Sequence, residues 1–380
     1  MKVGVISDLH YENHKILGGP LEAGVNRRCS DIGEAVRAAT REATTRRCWH
    51  VVVTGDIFDN PSPAPEVIGQ AASDFSHSAL KLFLMPGNHE RSSDTKGHNA
   101  LIALKESRQC IVDDEPSTTK AMGPHRSELW LPFVENPREF AENLLKLAGH
   151  PVEYVFLHAG IVSEDSEFWA KESRNAISVE DCERWAKEYG VRGVIAGDWH
   201  GHRVLKDRDP LIVQVGSLTQ VDFGDPANCG KLVVLDTQTA TVEVVDIPGP
   251  RLISLTMPEL RAMAKGQWPV AYPNLASCST YLRVSCTAEE RSEAEGILES
   301  SITRELPGGV VETLRLTDWM IVDAATAPEA QAILELPPEK KFVLDDVVRT
   351  WCAENAPAVE VGERAAEMAI RYLNSVGGAS

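Results

Sequence analysis

No two of the eight cysteines stand in a CxxC pair, so the spacing excludes a zinc ribbon or a thioredoxin-like redox motif and points to reduced thiols. Long apolar runs are also missing. None approaches the roughly 18 residues of a membrane-spanning helix, and the opening residues MKVGVISDLH set an Asp and a His where a secretory signal needs its apolar stretch. A cytoplasmic protein without a membrane partner is expected. Positive charge is scarce as well: 38 Lys+Arg against 56 Asp+Glu leave a net charge of −18. That balance opposes a broad basic platform able to hold a nucleic acid unaided. If DNA is bound, metal ions, a second subunit or the small cluster Arg27, Arg28, Arg37, Arg41, Arg46 and Arg47 must hold it locally. Low-complexity segments and internal repeats are absent, and 380 residues with 43% hydrophobic content suffice for two to three domains.

What is present is a regular alternation of short apolar runs with helical stretches, the pattern of α/β layers. Residues 3–6, 51–54, 82–85, 155–157 and 194–196 read as buried strands, and 31–48, behind Ser30 as N-cap, and 136–148 read as helices. Each strand runs into a polar cluster: SDLH, GDIFDN, PGNHE, HAG and GDWHGH. Five such strand ends describe one functional edge, where the ligands of α/β sheets collect. From Leu211 the texture changes to that of hairpin strands, until IPGP at 247–250 punctuates the chain. The expected organisation is a catalytic domain over 1–248, a smaller α+β domain over 251–335, and a helical segment over 337–380. The smaller domain should carry strands near 281–285 and 310–316 around a helix near 288–303. The last segment has apolar stripes at 344–352 and 361–373.

The strand-end residues form a ligand set. Asp8 and His10, two apart, face one side of an extended backbone, and Asp56, Asn88, His158, Asp198, His200 and His202 add oxygens and imidazoles. Such a shell suits Mn²⁺, Fe or Zn²⁺, and it holds too many ligands for one tetrahedral ion but enough for two. A pair of divalent ions can clamp a phosphoryl group and stabilise both entering and leaving oxygens. The remaining histidines, His14, His50, His77, His98, His125 and His150, lack this context and read as surface or supporting residues. Asp59 reads as a loop-positioning residue and Trp199 as packing.

The order DxH, GDIFD, GNHE, H and a Gly-led motif with His resembles the calcineurin-like metallophosphoesterase superfamily. The GDIFD form, VGS at 215–217 with DFGD at 222–225, and the small following domain look most like the SbcD-type DNA repair exonucleases. The resemblance implies a four-layer α/β (α+β) sandwich with a smaller C-terminal α+β capping domain. It also implies a dinuclear site, with Mn²⁺ ahead of Fe or Zn²⁺, in which Asp8, His10 and Asp56 hold one ion and Asp56, Asn88 and His158 the other. His89 of GNHE would be the catalytic histidine that binds no metal. The family usually reads GHxH where this chain reads Gly197, Asp198, Trp199, His200, Gly201, His202. Aligning on the glycine makes Asp198 and His200 the ligand pair, and aligning on HxH makes it His200 and His202. The first register is preferred.

By the same resemblance, the expected activity is metal-dependent hydrolysis of DNA phosphodiesters, exonucleolytic with a possible endonuclease function. The expected partners are an SbcC-like ATPase docking on the C-terminal helices and a second copy in a homodimer. The alternative is a phosphoesterase of nucleotides or phosphoproteins, which the acidic balance favours.

Overall fold

The computed structural model describes every residue except 16, 92–99, 106, 120–127, 167–172, 174, 273–274, 307–309 and 325–380. The two helices expected at 344–352 and 361–373, and with them the whole segment 337–380, lie outside the described residues.

Two six-stranded sheets pack face to face. The first has β1 (Lys2–Ile6), β2 (His50–Val53), β3 (Lys81–Leu84) and β4 (Cys110–Val112) in parallel, with β13 (Lys231–Asp236) and β14 (Thr241–Asp246) added antiparallel beside β1. The second is built on the parallel run β6 (Glu128–Leu131), β7 (Tyr154–His158), β10 (Gly193–Gly197) and β12 (Leu211–Gln214). Antiparallel edges, β5 (Ser117–Thr119) and β11 (Arg203–Asp207), close it, and β8 (Gly160–Val162) and β9 (Ala176–Ser178) form a separate parallel pair. Fully buried strands explain the near-continuous apolar runs HVVV, YVFLH and LIVQ. Between the sheets, Val3, Val5, Val52 and Met85 meet Trp130, Tyr154, Phe156 and Ile195, and Trp130 stacks between Phe83 and Phe156.

Helices complete four layers. On the first sheet lie α1 (Arg27–Thr45) and α2 (Pro65–Ser76), burying Ile32, Val36, Val67 and Phe75. On the second lie α3 (Pro137–Leu147) and α4 (Val179–Tyr189), burying Ala141, Leu145, Cys182 and Trp185. The start of α1 corrects the expected Ser30 cap: the Asn26 side chain accepts from the Cys29 amide at 3.0 Å, so the helix begins one turn earlier. The hairpin texture expected from Leu211 is found in the antiparallel pairs β11–β12 and β13–β14, with β12 also pairing in parallel with β10.

After Pro250, β15 (Arg251–Thr256), β16 (Thr280–Cys286) and β19 (Leu316–Asp323) form a parallel three-stranded sheet. Packed on it are α5 (Met257–Ala264) and α6 (Arg291–Leu298), around Leu260, Met263, Leu282 and Leu298. The strand expected over 310–316 is divided. Here β18 (Val310–Thr313) turns back antiparallel on β17 (Thr303–Leu306), and β19 starts only at Leu316. This unit is tied to the first by Tyr281, whose hydroxyl donates to Asp31 at 2.7 Å, and by the Gln220 amide, which bonds both backbone groups of Leu252.

Candidate metal centre

Because β1, β2, β3, β7 and β10 run parallel within their sheets, their C-terminal ends share an edge in each, and Asp8, Asp56, Asn88, His158 and Asp198 stand at those ends. The turns that carry them are strained. Asp8, His10, Asp56 and Asp198 all have left-handed φ values, between 48° and 89°, a conformation that non-glycine residues adopt at a cost and that clusters at functional sites. Gly55 and Gly87 allow the close approach: a Cβ on Gly55 would stand 2.0 Å from Nδ1 of His158, and one on Gly87 2.0 Å from Oδ1 of Asp56.

Among the described residues, three groups each bring potential ligand atoms within 4.8 Å of one another: Asp8, His10 and His200; Asp8, Asp56 and His158; and His10, Asp59 and His89. Oδ2 of Asp56 sits between the first two, 3.7 Å from Nε2 of His10 and 3.3 Å from Nε2 of His158. Asn88 places its Oδ1 2.9 Å from Nε2 of His158. Asp198 Oδ1 is 3.7 Å from the same nitrogen, while its backbone amide donates to Asp8. The His10 ring meets those of His89 and His200 edge to face, with centroids 4.7 and 5.2 Å apart.

The imidazoles share one orientation. Nδ1 of His158 faces the carbonyl oxygen of Thr54 at 2.7 Å, and a carbonyl can only accept, so the proton is on Nδ1. Nδ1 of His10 donates to Asp59 at 2.9 Å and Nδ1 of His200 to Asp225 at 2.7 Å. Each leaves Nε2 for the cluster, the tautomer that oriented metal-binding histidines use. His10 is the sharpest case, because its Nε2 is buried without a hydrogen-bond partner among the described residues. The donor set fits divalent ions, and an orphaned imidazole nitrogen aimed among carboxylates is the geometry such an ion completes.

The electrostatics agree. Burial opposes charge on His158, yet the Asp56 carboxylate beside it, helped by Asp8 and Asp198, holds its pKa well above the ordinary value. Burial likewise opposes ionisation of Asp56, and His158 with His10 and His89 still holds its carboxyl below the usual range. Burial, joined by Asp8 and Asp56 and opposed by His158, pushes Asp198 up to about 6. For His200, burial is outweighed by the Asp225 hydrogen bond, and the ring is pushed up to about 9. A pocket that stabilises cations on buried rings this way is one that attracts metal ions.

His202 stands apart. Like Asp198 it belongs to none of the three groups, but its Nδ1 donates to the carbonyl of Val215 at 2.9 Å, and burial lowers its pKa. His89 is at the rim with its side chain 38% exposed; its Nδ1 donates to the carbonyl of Asp59 at 2.8 Å, and its amide donates to Asp56. Trp199 packs on Gly160, where a Cβ would come within 2.2 Å of the indole. His50, expected at the surface or in support of the site, is buried against Phe83 instead, and burial pushes it down to about 4. His98 and His125 lie outside the described residues.

Three supporting residues carry more than their sequence context signals. Asp59 does more than shape its loop, since it orients His10 and approaches His89 at 3.5 Å. Asp225 orients His200. Glu90, fully buried, accepts from the amides of Phe58 and Gly87, at 2.5 and 2.7 Å, and so joins the GDIFD and GNHE loops. Its place directly after Asn88 and His89 was the only available signal.

Solved structures similar to this chain include the TT1561 protein of Thermus thermophilus, at 11% identity over 64% of this chain and 98% of that one with a TM-score of 0.40. A novel archaeal phosphodiesterase is similar at 14% identity over 64% and 99%, TM-score 0.35. A dimetal phosphatase from Danio rerio is similar at 14% over 57% and 87%, TM-score 0.38. No curated protein sequence matches this chain. The family model for calcineurin-like phosphoesterase matches residues 1–202, more than half of the sequence and every strand end that carries a candidate ligand, and the chain belongs to that family.

Proposed function

We propose that this metallophosphoesterase hydrolyses phosphodiester bonds in DNA, as an SbcD-like exonuclease with possible endonuclease activity, in DNA repair or processing. The observation that carries this reading is Asp225. The VGS and DFGD stretches set the SbcD-type pattern apart, and the second of them puts a carboxylate on Nδ1 of His200, while Gly216 of the first, at φ +79°, packs beneath the backbone of His200 and His202. The features that narrow the resemblance are therefore built into the candidate centre.

Asp8, His10 and His200 would hold one ion and Asn88, His158 and Asp198 the other, with Asp56 reaching both; Mn²⁺ is the first choice, ahead of Fe or Zn²⁺. When bound, such ions supply charge stabilisation for the phosphoryl group and an activated water. The chain's own residues do the rest. Asp59, Thr54 and Asp225 fix the three liganding rings, so the site is pre-organised before substrate arrives. His89, with Nδ1 committed to Asp59, has only Nε2 to present to substrate. Protonated there, it donates a hydrogen bond and then the proton to the departing sugar oxygen. An SbcC-like ATPase and a second copy of the chain are the proposed partners.

The net charge of −18 favours a second reading, a phosphoesterase of nucleotides or phosphoproteins. Mn²⁺-dependent release of nucleotides from linear duplex DNA is the expected result. Release of inorganic phosphate from nucleotides or phosphopeptides, with DNA left intact, would replace the proposal by the second reading.

A further inference from the structure

A cavity of about 360 Å³ lies away from the metal centre, where α1 meets the small C-terminal sheet across the 248–250 turn. Its walls bring together Arg37 and Arg41 from α1, Arg315 ahead of β19, and Ser277 and Ser279. In a chain with net charge −18 this concentration of guanidinium groups is unusual, and their partners decide what it means. The two acids at the cavity, Asp31 and Glu34, are both engaged by Arg27, at 2.7 and 3.1 Å, and Asp31 also accepts from Tyr281. Arg37 is paired with the buried Asp74. Of the other arginines in this part of the sequence, Arg28 is buried on the carbonyl of Gln220 and Arg46 pairs with Glu42 and Glu243. Arg41 and Arg315 make no ion pair among the described residues, although they share the cavity.

We propose that this cavity is a second, non-catalytic anion site that takes a phosphate group, held between Arg41 of the phosphoesterase unit and Arg315 of the small unit. A guanidinium offers a planar fork of N–H donors matched to phosphate oxygens, and two forks, one from each unit, suit a tetrahedral phosphate better than a planar carboxylate. Ser277 and Ser279 add hydroxyls to the lining. The occupant bridges two units otherwise joined here by the Tyr281–Asp31 hydrogen bond, so its binding also stabilises their docking by mass action. The phosphate comes either from solution or from the backbone of a bound strand.

The test uses the full-length protein with its metals in place and inorganic phosphate as the probe in calorimetric titration. Wild type is compared with the double variant Arg41→Gln/Arg315→Gln. Phosphate taken at the dinuclear centre is common to both proteins, so the difference isolates the cavity. The expected result is one binding event present in wild type and lost from the double variant. The single variants should each weaken it about ten- to a hundredfold, and matching circular dichroism and ligand-free melting temperatures would confirm the fold. A second arm titrates duplex DNA. If the phosphate belongs to a strand, the double variant binds more weakly whatever the sequence, and its salt slope falls by about one. Loss in the first arm alone assigns a free anion, and loss in the second alone assigns a backbone phosphate. The phosphate arm stands whether or not DNA is the substrate. Unchanged phosphate binding together with unchanged DNA affinity and salt slope overturns the proposal.

Discussion

Oδ1 of Asp225 accepts the Nδ1 proton of His200 at 2.7 Å, linking a loop beyond β12 to a candidate ligand 25 residues earlier. This one contact fixes the tautomer, turns Nε2 toward Asp8 and His10, and offsets the burial that would otherwise lower the ring's basicity. Outer-shell partners of this kind typically contribute about 10–100-fold in metal affinity or activity. Asp225→Ala should therefore lose hydrolysis in that range at limiting Mn²⁺ and recover part of it as Mn²⁺ is raised. A variant with wild-type Mn²⁺ dependence would show that Asp225 serves only its own turn, where it also accepts from the amides of Val221 and Asp222.

His89→Ala should keep two ions per chain while losing about 10²–10⁴-fold in turnover, the usual contribution of a positioned general acid. Its Nδ1 is spent on Asp59 and its ring sits at the rim, so removing it leaves the buried ligands untouched. Loss of an ion from the variant, read by elemental analysis, would make His89 a ligand through the group it shares with His10 and Asp59.

Asp56→Ala should empty or badly deplete both positions, because the same oxygen faces His10 and His158. The variant also removes the acceptor of the His89 amide. Retention of both ions with normal activity would refute the bridge.

The choice between Asp198 and His202 has a direct test. Neither residue belongs to the three ligand groups, but Asp198 lies 3.7 Å from Nε2 of His158, whereas Nδ1 of His202 is bound to the Val215 carbonyl. Asp198→Ala should be severe in metal content and rate, and His202→Ala should be mild. The opposite ranking would restore the HxH register.

The candidate ligands at the strand ends are legible because each depends on two local signals, an apolar run and the polar cluster that ends it. Asp8, Asp56, Asn88, His158 and Asp198 all meet that description. Asp225 does not: it works through a loop contact across 25 residues, and no spacing rule announces such a bond. The N-terminus of α1 departs from the expected one for a similar reason. Ser30 and Asn26 are both good caps by composition, and only the fold shows that Ser30 sits inside the first turn, with its hydroxyl on the Asn26 carbonyl. The division of 310–316 depends on partners. One half pairs with 303–306 and the other belongs with β16, and the run itself carries no mark of the break.

Glu90 provides the last prediction. Its carboxyl group is fully buried, and its two oxygens take the amides of Phe58 and Gly87, one from each loop that presents candidate ligands. Burial, with Asp56 nearby, pushes its pKa up to about 8, and the two amide donors work against that shift. Glu90→Gln is nearly isosteric but replaces one acceptor by an NH₂ group that faces an amide donor. One buried N–H then loses its partner, which costs about 1–3 kcal/mol. Urea unfolding should show a loss of that size, and hydrolysis should fall with it because the Asp56 and Asn88 loops are no longer held together. If stability and Mn²⁺ affinity are both unchanged in the variant, the two loops hold their geometry without Glu90, and its burial has another cause.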